Sequence, residues 1–274
     1  MHFTVSGVDV AVWVPFLAGL CAAIVTAPAG LSGAFVLLPF QTNVLGFTTP
    51  AVSATNLVYN IVATPGGLLR YGRQRLLRRS LVVPLLAGTL PGVSVGAVLR
   101  VLYLHEPALF KALVGIVLVY LAVQILLRTR RRTPIRTLPE AERPLRASLL
   151  VVLGAGSGVI GGILGVGGGA IIAPVLVILA RQPVRLVSAA ALAVTFATSA
   201  TGILSYQLLD VLDIGRTRPV APDWALGALF GIGGLVGSYL GARLQHRIPD
   251  QVLTLLLAGL VAILAVTYVA ALTS

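Results

Sequence analysis

Long runs without a single charged residue alternate along this chain with short, arginine-rich breaks. No Asp, Glu, Lys or Arg occurs from Val10 to Leu69, Ala147 to Ala180, Leu186 to Leu209, Trp224 to Ala242, or Gln251 to Ser274. About 20 apolar residues take one helix through a bilayer core. Each run therefore predicts at least one spanning helix, and the first, about three times that length, predicts several. Glycine and proline divide the runs further. The pattern predicts an interrupted helical hairpin over 11–47, then spans at 51–69, 81–102 and 107–127. A second hairpin is expected over 148–180, followed by spans at 186–209, 223–243 and 250–272. The arm Val166 to Ala180 is too short, at about 1.5 Å per residue, to cross a core of about 30 Å upright. Half-helices meeting inside the membrane are the expectation.

The two series are alike because the chain repeats itself. Shifted by 135 residues, Gly30 falls on Gly165, Gly33 on Gly168, Pro39 on Pro174, Val52-Ser53-Ala54 on Val187-Ser188-Ala189, Gly67 on Gly202 and Tyr71 on Tyr206. Leu- and Ala-rich segments match by chance, whereas Gly, Pro, Ser and Tyr coincidences rarely do. The expected organisation is a first transmembrane repeat over 1–127, a basic cytoplasmic linker over 128–147 and a second repeat over 148–274. The fold class is thus an all-α integral membrane protein of two homologous repeats, each a broken-helix hairpin plus three transmembrane helices.

Composition agrees, with 57% hydrophobic and 10% charged residues and a mean hydropathy of +0.99. The formal charge of +12 would suggest nucleic acid on a soluble fold. Here it collects in loops, at Arg70 to Arg79 and Arg128 to Arg146, which is how cytoplasmic loops are marked. No nucleic-acid partner is expected; the lipid bilayer is. If each hairpin returns to its own side, the repeats are inverted and the inner side carries 16 of the 20 basic residues, against 14 if it does not. The bias favours inversion. The lone Cys21 excludes a disulfide framework, and the residues before the first apolar run lack the basic start of a secretory leader.

Candidate chemistry lies at the breaks. Gly161-Gly162-Ile163-Leu164-Gly165-Val166-Gly167-Gly168-Gly169 weakens a helix and frees backbone groups that need partners or a cavity. Ala27-Pro28-Ala29-Gly30-Leu31-Ser32-Gly33 is its counterpart. The positive ends of half-helices hold an anion without a buried cationic side chain; close packing through small residues is the alternative. Next to each break runs a polar stripe of helical spacing: Ser53, Asn56, Asn60, Thr64 and Gly67, with Ser188, Ala191, Thr195, Ser199 and Gly202 at the offset. Two asparagines one turn apart in a span must face protein, water or ligand, as site groups or as interhelical bonds.

The candidate binding residues are therefore Gly30, Ser32, Gly33, Asn56, Asn60 and Thr64, with Gly167, Gly168, Gly169, Thr195 and Ser199. All eight acidic residues fall at termini, loops or span edges, so no carboxylate relay is expected at mid-membrane. Arg100 and Lys111 are expected to snorkel to the interface, with an anion vestibule as the alternative. The glycine run lacks the Gly-Lys-Ser/Thr of a P-loop, and Ser157 lacks a plausible acid and histidine, so no enzyme, catalytic residue, metal or cofactor is expected.

The stretch Ala29 to Gln41, with Ser53-Ala54-Thr55-Asn56-Leu57 and Pro65-Gly66-Gly67 after it, resembles the sulfite exporter TauE/SafE family, also called the toluene sulfonate uptake permease family. The run Gly165 to Pro174 is similar to that family's glycine-rich signature. The first half carries Leu31-Ser32-Gly33-Ala34 where the second has Val166-Gly167-Gly168-Gly169. The resemblance spans nearly the whole chain. It implies a multi-pass permease of a prokaryotic cytoplasmic membrane for a small anionic substrate: sulfite, a sulfonate, sulfoacetate or thiosulfate. A passive anion channel and a membrane assembly subunit remain the alternatives, and a homodimer stays open.

Overall fold

A computed structural model of the chain describes residues 1–29, 31–130, 145–178, 182, 184–214 and 219–244. The candidate Gly30, most of the expected linker and the span expected at 250–272 lie outside the described residues. A two-stranded hairpin, His2–Phe3 with Val8–Asp9, opens the chain. It is followed by α1 (Trp13–Thr26), a 3-10 turn (Ala27–Ala29), α2 (Ala34–Pro39) running into a π turn (Phe40–Val44), and α3 (Ala51–Arg73). Then come α4 (Arg79–Leu102), α5 (Pro107–Arg130), α6 (Ala147–Leu164), α7 (Gly169–Ile178), α8 (Val184–Val211) and α9 (Trp224–Leu244).

Among the described residues, four helices are long and apolar enough to cross a membrane: α4, α6, α8 from Leu186, and α9. At 23 residues α3 has the length for a crossing, but its asparagines, threonines and glycines lower its hydropathy. Both expected breaks are present. The first hairpin is interrupted between Thr26 and Ala34, and the second between Leu164 and Gly169.

Packing follows glycine. Helix α4 lies along α6, and α1 along α9. On α4, a methyl group at Gly88, Gly92 or Gly96 would strike the carbonyls of Val151, Ala155 and Val159 in turn. On α9, Gly233, Gly237 and Gly241 stand the same way against Phe16, Leu20 and Ile24. The α6 residues are the α1 residues shifted by 135, and the α4 glycines are the α9 glycines shifted by 145. Contacts thus recur at the sequence repeat, with a register ten residues longer beyond α8. Both seams advance in step along the two helices, so the paired helices run parallel. Small residues at four-residue spacing let backbones touch where lipid supplies no hydrophobic drive.

Helices α3 and α8 cross with the opposite sense. A Cβ on Gly67 would come within 2.7 Å of Leu192 Cδ1, and one on Gly202 within 2.6 Å of Leu57 Cδ1. Moving up α3 therefore means moving down α8: the two helices are antiparallel. Tyr71 Oη donates to Ala27 O at 3.4 Å, and Tyr206 Oη to Gly162 O at 2.9 Å, again a pair related by 135. Helix α3 also packs on α9, and α8 on α4. One group of helices is therefore α1, α2, α3 and α9; the other is α4, α6, α7 and α8.

The surface is apolar and the interior carries the polar groups. Val152, Leu204 and Val211 are 69–78% exposed, whereas Ser53, Thr55, Asn56 and Asn60 are fully buried. That inversion fits a bilayer as solvent. Arg100 departs from expectation. It does not reach for the interface but is fully buried, donating to the carbonyls of Leu104 and Thr48 with Phe110 stacked 3.7 Å from its guanidinium carbon. The carbonyls that end α4 and the loop before α3 give it better partners inside than headgroups would outside. Asp223 is likewise buried; it caps α9 through Leu226 N at 3.1 Å and holds Ser6 Oγ at 2.9 Å, pinning the N-terminal hairpin.

Candidate functional site

Two glycines make the second break. Gly165 ends α6 at φ +71°, and Gly167 repeats that left-handed conformation before α7 begins. Non-glycine residues meet their own carbonyl there. Gly161 O accepts from the amides of both Gly165 and Val166, so the α6 end is closed. Facing it, Thr195 of α8 presses on the backbone: a Cβ on Gly169 would lie 2.5 Å from Thr195 Oγ1, and one on Gly167 would lie 2.8 Å from Thr195 Cγ2.

The polar stripe of α3 joins this break to the first one. Asn60 Nδ2 donates to Gly165 O at 3.3 Å, while Asn60 Oδ1 accepts a short bond from Ser32 Oγ. One turn back, Asn56 Nδ2 reaches Ala34 O at 3.5 Å and Asn56 Oδ1 accepts from Gln41 Nε2 at 3.1 Å. Ser53 Oγ donates to Ile163 O at 2.7 Å. Gly33 approaches Tyr59 so closely that a methyl group would overlap its hydroxyl. Thr64 turns its hydroxyl to Asn60 O at 2.7 Å.

Of the candidate residues, Ser32, Gly33, Asn56, Asn60 and Thr64 thus gather around the first break, with Asn60 bridging to the second. Gly167, Gly168, Gly169 and Thr195 meet at the second. Ser199 lies one turn beyond Thr195 on α8, fully buried, and its hydroxyl has no hydrogen-bond partner among the described residues.

Two residues at the second break were not singled out from the sequence. Thr198 Oγ1 receives Gly168 N at 3.4 Å and donates to Val194 O at 2.7 Å. Thr89 of α4 sits against Gly168, with Cγ2 3.0 Å from where a Cβ would stand, and its buried hydroxyl also lacks a partner among the described residues. Thr198 was legible only as a third hydroxyl after Thr195. Thr89 gave no signal, because only the α4·α6 seam brings it to the glycines.

The second break therefore presents the start of the ten-residue α7, where helix N–H groups carry partial positive charge, against the buried hydroxyl of Thr89. None of these residues carries a formal charge. Among the described residues there is also no group of three or more His, Cys, Asp or Glu placed to hold a metal.

Comparison of the sequence with known proteins matches the chain to probable membrane transporters. A probable membrane transporter of Bacillus subtilis, YjnA, is 25% identical over 254 residues, covering 89% of this chain and 94% of its own. A second, YunE, is 24% identical over 258 residues, covering 87% and 92%. A probable membrane transporter of Xylella fastidiosa is 28% identical over 236 residues, covering 80% of this chain and 79% of its own. No solved structure matches the chain significantly. The family model for the sulfite exporter TauE/SafE matches residues 15–268, and with nearly the whole chain so covered this multi-pass membrane protein belongs to that transporter family.

Proposed function

We propose that the protein carries a small anion across the cytoplasmic membrane by alternating access between inverted repeats. The substrate class is a sulfur-containing oxyanion or organic acid such as sulfite, a sulfonate or thiosulfate. One observation carries the proposal: two interrupted hairpins meet through Asn60, which touches Ser32 at one break and Gly165 at the other. That contact lies where α3 and α8 cross, so opening and closing the crossing alters both breaks together. At the second break, the α7 start and the hydroxyl of Thr89 are neutral donors to an oxyanion. Nothing there requires a salt-bridge partner.

Inversion is supported by the antiparallel course of α3 and α8, which correspond at the 135 offset. The parallel seams assign each hairpin to a later span of the other half, so the moving bodies are mixed: α1, α2, α3 and α9 against α4, α6, α7 and α8. Rocking would then open the α3·α8 crossing while leaving the glycine seams intact.

Purified protein in proteoliposomes tests this. Uptake of labelled sulfite, sulfonate or thiosulfate should saturate and show trans-stimulation. Flux without trans-stimulation would mean a channel, and no flux of any of these anions would leave an assembly role. Asn60→Leu should fold and lose at least about tenfold in transport, as when a polar bond to a site group is removed. Wild-type flux in that variant would take Asn60 out of the mechanism.

A further inference from the structure

The two helix groups are counterparts of each other. Helices α6, α7 and α8 begin within two residues of α1, α2 and α3 shifted by 135, and α9 is reached from α4 by a shift of 145. Contacts inside one group recur in the other. The glycine seams match, and the bond from Tyr71 to Ala27 O is answered by that from Tyr206 to Gly162 O. One bond between the groups is not answered. Ser53 Oγ on α3 donates to Ile163 O of α6 at 2.7 Å. Shifted by 135, Ser53 becomes Ser188 on α8, and Ile163 goes back to Pro28. Helix α8 touches the 3-10 turn that holds Pro28, as α3 touches α6. The Ser188 hydroxyl is nevertheless fully buried without a hydrogen-bond partner among the described residues. Asn60 Nδ2 to Gly165 O also crosses between the groups, but Thr195 stands at its repeat position, whereas the serines put the same side chain in both halves.

The serines lie at opposite ends of the molecule. Helices α3 and α8 are antiparallel and each serine sits near the start of its helix, so Ser188 is at the end of the arginine-rich α3–α4 turn and Ser53 at the other. At the Ser53 end the groups are joined by one buried cluster that includes Ala54, Leu57, Ala97, Val101, Tyr206 and Leu209. At the Ser188 end a smaller cluster of Tyr71, Ala189, Leu192 and Ala242 borders a crevice of about 220 Å³, counting its open mouth. Ala27, next to Pro28, and Leu192, one turn along α8 from Ser188, both line that crevice.

Resting on the carrier reading above, we propose that Ser53 and Ser188 are an exchange pair that positions the two groups in alternate access states. In the state shown, Ser53 ties α3 to α6 and holds its end shut. In the opposite state Ser53 releases Ile163 O, and Ser188 Oγ donates to Pro28 O as the crevice closes. Each state keeps one of the two bonds and leaves one buried hydroxyl without it, so neither is favoured strongly over the other. A carrier needs that balance, because substrate shifts two states only by its differential affinity for them.

Spin labels at exposed positions, in a Cys21→Ser background, read the two ends without any substrate. Trp13 with Leu208 spans the groups at the Ser53 end, and Leu69 with Leu149 at the Ser188 end. In Ser53→Ala, pulsed dipolar measurements should show the alternate state, with Trp13–Leu208 longer and Leu69–Leu149 shorter, enriched about fivefold, the factor of one hydrogen bond. Ser188→Ala should deplete it by the same factor, and Ser188→Thr, which keeps the hydroxyl, should not. In the double variant, Ser53→Ala with Ser188→Ala, each state has lost one bond and the wild-type balance should return.

Serines that merely support packing would leave the double variant the most altered of the set; the exchange makes it the least. An unchanged balance in Ser53→Ala, or a double variant that behaves like Ser53→Ala, overturns the exchange. Should Ser53→Ala not fold, Ser188→Ala decides by itself, since an alternate state as populated as in wild type overturns the pairing with Pro28. Anion uptake by the wild-type protein beside such a result leaves the carrier standing. The predicted shifts in a protein that moves none of the tested anions would instead keep the exchange and remove the substrate class.

Discussion

Gly165 holds a left-handed backbone at φ +71°, and the main chain of Ser53 occupies the place a side chain would take. Both restraints apply to one residue, so Gly165→Ala should cost about 1–2 kcal/mol from the backbone conformation and more from the contact with Ser53. The expected result is a lower melting temperature in detergent; an unchanged one would show that α6 does not end here under working conditions. These glycines were legible as breaks because their density weakens a helix, although close packing through small residues is the rival reading and Gly158 and Gly162 of α6 do pack that way. The asparagines of α3 were equally legible from their cost in a bilayer. Thr89 and the inward turn of Arg100 were not, since each depends on a neighbour from a distant part of the chain. No local pattern says that Thr48 O lies within reach of Arg100, 52 positions away.

Between helices, the two glycine seams set the packing. Gly92 and Gly237 occupy equivalent places, one against Ala155 O and the other against Leu20 O. Gly92→Ile and Gly237→Ile should therefore destabilise the protein by similar amounts, about 3 kcal/mol or more where no neighbour can yield. Melting of the two variants checks this, and a large difference between them would mean the seams are not equivalent. The sequence carried this correspondence too, but not at the offset that reveals the first three elements of each half. Ten residues inserted ahead of α9 move it to 145, and an ungapped comparison loses it. The N-terminal hairpin was missed for another reason. Two-residue strands are too short for any alternation of polar and apolar positions to register, and what holds them is Asp223, far along the chain.

For the whole molecule the question is which helices move together. Leu17 on α1 and Val236 on α9 are 43% and 44% exposed, and Val152 on α6 is 69% exposed, so spin labels there face lipid and disturb no packing. In pulsed dipolar measurements the Leu17–Val236 distance should stay fixed when substrate is added, while Leu17–Val152 should change. The reverse result would make the sequence halves the moving bodies. That the chain is a helical membrane protein with paired breaks was legible from composition and repetition. The exchange of partners between halves was not, because hydrophobic patterning says which face of a helix is buried and is silent on what buries it.

The seam between α1 and α9 also has a consequence for how the protein is made. Phe16, Leu20 and Ile24 leave the ribosome some two hundred residues before Gly233, Gly237 and Gly241, a delay of roughly 10 to 40 s at ordinary rates of synthesis. During that interval α3 can hold the hairpin through Asn56 and Asn60, but the seam face of α1 has no partner, so that face must be covered by the insertion machinery or by lipid until the closing helix arrives.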